Sequence, residues 1–171
     1  MANHLPVQIA PDFEARYPTA SASATACAMN LVFTADLLVK RIASLLRPFH
    51  LSPASGLVLS IVADAESPLP PHKIADRLII SRATVTGLID SLERQGYVRR
   101  RPHHSDRRML LVESTDTGRR VANTFRPVVH HQQRLWLEVL SDEEQQRLTH
   151  SLQQVQEALL ASDARDPAPP G

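Results

Sequence analysis

One cysteine, five glycines and an aromatic fraction of 4% are the scarcities that first bound this 171-residue chain. A lone Cys27 excludes an intramolecular disulfide and makes a reducing interior the expected setting. With so few aromatics, aliphatic side chains must do most of the packing, and an apolar fraction of 43% suffices for one sizeable core. Few glycines beside 13 prolines, most of these near the ends and in short connections, suit helices with abrupt stops better than a sandwich of tight turns. The opening MANHLPVQIAPDF lacks a positive stretch followed by an apolar one, so no secretion signal is expected. No apolar run approaches the roughly 20 residues that span a bilayer. The expectation is a cytoplasmic protein without a membrane partner. No Ser-His-Asp set, paired carboxylates or Gly-rich phosphate loop stands out, so neither an enzyme nor a cofactor is expected.

Net charge is also small, at +1, yet its distribution is uneven. Between Ser81 and Arg108 lie seven arginines (Arg82, Arg94, Arg99, Arg100, Arg101, Arg107, Arg108) against three acids (Asp90, Glu93, Asp106), a local net of +4. Positive charge concentrated on an otherwise acidic chain is the electrostatic footprint of a polyanion partner, although a solvated charged face has the same composition.

Periodicity places the elements. Apolar residues at three- and four-residue spacing from Ala24 to Leu46 predict an amphipathic helix ended by Pro48. Ser52 and Pro53 open a second helix, with Ser52 as cap. Its Leu57, Val58, Leu59, Ile61 and Val62 leave little polar girth, which predicts burial on several sides. A short third helix starts near Pro71, and Ile79 to Ser81 form a turn. Ser81 caps a fourth helix from Arg82 to about Gln95, closed by Gly96 in the position after the helix. Residues 97–101 and 109–112 read as two strands around the turn-rich tip Pro102-His103-His104-Ser105-Asp106, a β-hairpin wing. A long helix from about Thr117 to Leu140 contains Pro127, which should kink it. Ser141-Asp142-Glu143-Glu144 is a capping box that opens the last helix.

A short helix, a tight turn and a second helix with a polar outer face follow the helix-turn-helix plan. In the second helix, Val85, Leu88, Ile89 and Leu92 form the stripe to be buried. The opposite face offers Arg82, Thr84, Thr86, Gly87, Asp90 and Arg94, with Ser81 at its mouth. Small polar side chains there let a helix sit deep in a major groove, and its N-terminal amides suit a phosphate. The wing residues His104, Ser105, Asp106, Arg107 and Arg108 follow. Arg107 or Arg108 can lie along the adjacent minor groove, where a narrow groove concentrates negative potential. Asp106 would repel the backbone, so a clamp on Arg108 is its better role.

From the second helix through the wing, the run SRATVTGLIDSLERQGYVRRRPHHSDRRMLLVESTDTGR resembles the MarR family (multiple antibiotic resistance regulators). The family's wing motif DxRxxxxxLT is met by Asp106, Arg108 and Thr115. Ser114 stands where the motif has Leu, and Gly87 where many members carry Arg. The resemblance spans roughly residues 24–160. It implies a mostly α protein with a small β wing, an α+β winged helix-turn-helix. The expected division is an N-terminal arm at 1–22, a helical dimerisation region at 23–50 and 117–162, a DNA-binding lobe at 51–116 and a disordered tail at 163–171. It further implies a homodimer whose first and last two helices form the interface, with effectors bound between that interface and the DNA-binding lobe.

The expected function is a DNA-binding regulator of transcription: a repressor on a pseudo-palindromic double-stranded operator, released by a small lipophilic or aromatic effector. Phe33, Leu37 and Phe49 are the candidate pocket. Cys27 offers a redox-switched alternative, because the family's organic-hydroperoxide sensors carry a reactive cysteine in a similar region. With no cation and no tyrosine close by, Cys27 is nevertheless expected to be buried and inert. A helical adaptor whose basic wing binds an acidic protein is a third reading. The pairs His103-His104 and His130-His131 invite a zinc reading, as some relatives carry zinc. Adjacent histidines on a helix point about 100° apart and give one good ligand at most, so no metal site is expected.

Overall fold

The computed structural model describes residues 7, 9–103 and 110–163. The described chain is helical apart from one two-stranded antiparallel sheet. In order it runs α1 (Phe13–Arg16), α2 (Ala22–Leu46), a 3-10 turn (Arg47–Phe49), α3 (Pro53–Ala63), α4 (Pro71–Leu78), α5 (Arg82–Arg94), β1 (Val98–Pro102), β2 (Leu110–Ser114), α6 (Asp116–Leu137) and α7 (Asp142–Asp163). It divides into two compact units, residues 1–128 and 129–171.

In the first unit the helix starts follow their capping residues. Ser21 Oγ accepts from Ala24 N, Ser52 Oγ from Ser55 N and Ser81 Oγ from Thr84 N, each satisfying an otherwise orphan amide. Proline at the first position of α3 and α4 gives up an amide that would have had no partner there. The core is aliphatic, as the lack of aromatics demands. Leu46, Leu51, Val58, Leu59, Val62, Ile74, Val85, Ile89, Leu92, Val98 and Val112 are all buried. Leu57 departs from the expectation for α3: it is exposed, so this helix is buried on most of its girth and not all of it.

Two features of this unit had no sequence signal. Leu69 exchanges backbone hydrogen bonds with Val112 (2.9 and 2.8 Å), adding a one-residue third strand to the hairpin. Ile79, which ends α4, is left-handed at φ 54°. A β-branched residue rarely adopts that conformation, and it costs on the order of 1–2 kcal/mol. The strained residue makes the tight turn between α4 and α5, and α5 starts three residues later.

In the second unit, the capping box at α7 is formed as the sequence implies. Ser141 N donates to Glu144 Oε2 (2.8 Å) and Glu144 N donates back to Ser141 Oγ (3.4 Å). The bond from the Ser141 amide, and then one from the Ser141 hydroxyl to the same Oε2 (2.8 Å), hold the Glu144 carboxyl below its ordinary pKa. Gln145 Nε2 donates to the carbonyls of Leu137 and Leu140 (3.1 and 3.0 Å), satisfying groups that the end of α6 leaves open. Leu148, Val155, Leu159 and Leu160 stand exposed along α7.

Helix α2 corrects one expectation. The stretch Ala22–Phe49 reaches the length and mean hydropathy of a membrane span. An alanine-rich helix with few charges passes on average composition even where no unbroken apolar run exists. Met29, Val32, Phe33, Leu37 and Val39 are its exposed apolar groups, and Lys40 pairs with Asp36 across one turn (2.6 Å).

Candidate nucleic-acid interface

Helix α5 is two-faced. Val85, Ile89 and Leu92 are buried and Leu88 is half-buried, while Ser81, Arg82, Thr84, Thr86, Gly87, Asp90 and Arg94 are all exposed. Ala83 belongs to the same exposed face, at i−4 from Gly87, and sequence reasoning passed over it because it carries no polar group. At the helix mouth, Ser81 Oγ and Thr84 Oγ1 share a hydrogen bond (2.8 Å). Thr86 Oγ1 donates to Arg82 O (2.9 Å). The Thr86 proton is thereby spent within the helix, and its methyl group and oxygen lone pairs are what it offers outward. A Cβ built on Gly87 meets nothing within 4 Å, so the exposed face is open at its middle.

The hairpin follows directly. Gly96 takes φ 73°, which closes α5 and turns the chain into β1. β1 and β2 pair from Val98↔Ser114 to Pro102↔Leu110. Arg99 stands directly opposite Glu113 (2.5 Å), and Arg101 reaches the same carboxylate (3.0 Å). Hydrogen bonds from Arg99 and then Arg101 lower the Glu113 pKa despite partial burial. Arg100, on the other face of the strand, binds Asp90 (2.5 Å) and Glu93. Burial opposes its charge, but the hydrogen bonds to Asp90 and Glu93 outweigh burial and raise its pKa. Three of the seven arginines in the sequence footprint are therefore neutralised within the lobe. Arg82 and Arg94 carry no ion pair among the described residues. His104, Ser105, Asp106, Arg107 and Arg108 lie outside the described residues, and so does the expected clamp between Asp106 and Arg108.

The base of the hairpin is locked to α6. Thr115 N donates to Tyr97 O (3.0 Å), Thr115 Oγ1 donates to Gly96 O (2.7 Å), and Gly118 N donates to Thr115 Oγ1 (3.0 Å). These bonds give the Thr115 position of the wing motif its physical reason.

The remaining candidates are scattered. Phe33 and Leu37 are exposed on α2, whereas Phe49 packs against Phe125 with ring centroids 5.9 Å apart. A cavity of about 550 Å³ lies near them but is lined by Lys40, Ala43, Ser44, Arg47, His50 and Leu51, none of the three. Cys27 is exposed, which corrects the expectation of a buried thiol: no described residue buries it on α2. Among the described residues, no three His, Cys, Asp or Glu side chains gather as a metal ion would need. Glu93 and Glu113, which organise the arginines, were absent from the sequence candidates. The signal for Glu113 was available in principle, because it stands opposite Arg99 once the hairpin register is known.

Comparison with known proteins relates part of the chain to one family. Residues 51–110 match the model of the MarR family. The HTH-type transcriptional repressor YetL of Bacillus subtilis is 36% identical over 95 residues, covering 55% of this chain and 57% of that protein. The chain thus spans little more than half the length of this curated relative. Among solved structures, a MepR–DNA complex from S. aureus aligns with a TM-score of 0.72 at 19% identity, over 77% of this chain and 96% of that one. CouR from Rhodococcus jostii RHA1, bound to p-coumaroyl-CoA, aligns with a TM-score of 0.71 at 23% identity, over 80% and 95%. The relative is named as a regulator of transcription and not as an enzyme. Residues 51–110 thus match the MarR family, and the fold around them is that of the solved structures compared.

Proposed function

We propose that the protein is a sequence-specific DNA-binding regulator of transcription, acting as a homodimeric repressor on a pseudo-palindromic operator and released by a small lipophilic or aromatic ligand. The observation that carries the DNA reading is the exposed face of α5, small and hydroxyl-bearing between Arg82 and Arg94, with its stripe of Val85, Ile89 and Leu92 buried. That face suits a major groove, and the two arginines suit phosphates on either side of it. A related repressor and a structural neighbour bound to DNA support the reading. The ligand reading is supported by the neighbour that holds p-coumaroyl-CoA. Dimerisation is supported by the apolar side chains left exposed on α2 and α7, which a second copy would remove from water. Two recognition helices in such a dimer would address half-sites roughly 34–36 Å apart or a multiple of that spacing. Action on DNA also supports a cytoplasmic location.

Fluorescence anisotropy on a labelled fragment of its own promoter, over a salt series, tests this. Arg108→Ala is expected to weaken binding by about 1–3 kcal/mol and to make its salt dependence shallower. An unchanged affinity and slope would remove the wing from the DNA. No binding by the wild-type chain would favour an adaptor role. The exposure of Cys27 favours one second reading, a redox-switched version of the same regulator. Loss of promoter binding after cumene hydroperoxide, abolished by Cys27→Ser, is its signature.

A further inference from the structure

The sequence counts Arg100 among the cations that attract DNA, and Asp90 among the groove-facing residues. The structure uses both elsewhere. Arg100 reaches Asp90 Oδ1 with one terminal nitrogen (2.5 Å) and Glu93 Oε2 with the other, while its own backbone amide donates to Glu93 Oε1 (2.9 Å). Its side chain is 23% exposed. One cation held by two carboxylates has no surplus positive charge for a phosphate. The guanidinium also cannot leave without stranding two acids beside the groove-facing side of α5, where they would repel a polyanion. Asp90 is itself 52% exposed, so Arg100 masks the one acid that the exposed face of α5 presents.

The same bonds join the two elements that must meet adjacent grooves. Asp90 and Glu93 lie one turn apart on α5, Arg100 lies on β1, and the link between them is the short turn through Gly96. On the opposite face of β1, Glu113 ties Arg99 and Arg101 to β2. Helix, first strand and second strand are thus connected in series by ion pairs, alongside the buried Val98 and Val112.

We propose that Arg100 is a positioning residue that touches no DNA: clamped by Asp90 and Glu93, it sets the angle of the wing to the recognition helix and cancels the acids on that helix. The inference rests on the DNA-binding reading above and names what aligns its two contact surfaces.

The test is a set of full-length variants measured on promoter DNA by anisotropy at fixed salt, with the melting temperature of each recorded. Glu93→Gln removes an acid and raises the net charge by one. Attraction by charge alone demands tighter binding, whereas loss of the clamp demands weaker binding, by roughly tenfold. Arg100→Gln is expected to weaken binding by a similar factor. Combined with Arg108→Ala, it should add less than about twofold to the loss from Arg108→Ala alone, because both act through the wing. Tighter binding by Glu93→Gln, or full additivity of Arg100→Gln with Arg108→Ala, overturns the proposal. Arg108→Ala without effect on a chain that still binds DNA overturns the wing reading itself, a distinct failure. Where Arg100→Gln lowers the melting temperature below the assay range, Glu93→Gln carries the test alone, since the sign of its effect separates the two accounts.

Discussion

Two glycines in this chain should respond to the same substitution with opposite signs. A Cβ on Gly118 falls 1.9 Å from Tyr97 O and 2.8 Å from Tyr97 C, both backbone atoms. No rotamer change relieves that contact. The start of α6 must retreat from the start of β1 by roughly 1 Å, the kind of overpacking that costs about 1–3 kcal/mol. Retreat also strains the bonds that lock the hairpin base, Thr115 N to Tyr97 O, Thr115 Oγ1 to Gly96 O and Gly118 N to Thr115 Oγ1. Each is worth about 0.5–1.5 kcal/mol. Against this stands a gain of up to about 1 kcal/mol from the better helix propensity of alanine. Gly118→Ala should therefore destabilise by about 2–4 kcal/mol net. Gly87→Ala meets only open space. It should stabilise by about 0.5–1 kcal/mol, the usual advantage of alanine in a helix interior. Urea unfolding followed by circular dichroism at 222 nm, with the slope of the transition held common to all variants, measures both. Loss of less than about 0.5 kcal/mol in Gly118→Ala, or the same sign for both variants, would refute the argument that the hairpin and α6 are in backbone contact at this point.

Ile79→Gly removes a β-branched residue from a left-handed backbone at a site that is 57% exposed. It should stabilise the chain by about 1 kcal/mol in the same unfolding assay, and destabilisation would show that the side chain packs more than its exposure implies. The Glu113 carboxyl, held below its ordinary pKa of 4.5 chiefly by Arg99 and then Arg101, contributes stability that is complete above that value. The contribution decays as the pH falls through the lowered folded value. Glu113→Gln should accordingly be less stable than wild type at neutral pH, with the difference closing toward about pH 2, and a difference that persists there would assign the effect to packing.

The parts of this fold that were legible in the sequence are those whose causes are local. A serine that accepts from an amide three residues on sets the start of α3 and α5, at Ser52 and Ser81 as the sequence implies; Ser21 does the same for α2, two residues before the start expected at Ala24. Gly96 ends α5 because a residue without a Cβ enters the left-handed region at no cost. The buried stripe of α5 and the exposed opposite face follow from the 3.6-residue period alone. Ile79 shows where local rules fail. By propensity a glycine belongs there, and the tertiary requirement for a tight turn between α4 and α5 overrides the preference of an isoleucine. Burial at the chain's outer helices was equally out of reach. Cys27, Phe33 and Leu37 sit on an apolar helix, yet in one chain they face outward, because hydrophobicity states what a side chain prefers and not what is present to cover it.

The arginine count is the most instructive case, because it summed charges without saying which of them are paired. Counting charges treats each side chain as if it faced solvent alone. Pairing is decided by strand register and by which face of β1 a residue occupies. Register puts Arg99 opposite Glu113. The alternation of a strand then sends Arg100 to the other side, toward Asp90 and Glu93. Glu113 lies beyond the counted segment, so the local net of +4 omitted an acid that binds two of its arginines. Among the described residues the arginines of that segment without an ion pair are then Arg82 and Arg94, at the two ends of α5, a smaller and more directional set than composition suggests. Long-range attraction depends on net charge, whereas alignment on a duplex depends on where unpaired charges sit. In this lobe the paired arginines hold the shape that presents the unpaired ones. Removing an acid can therefore weaken binding to a polyanion.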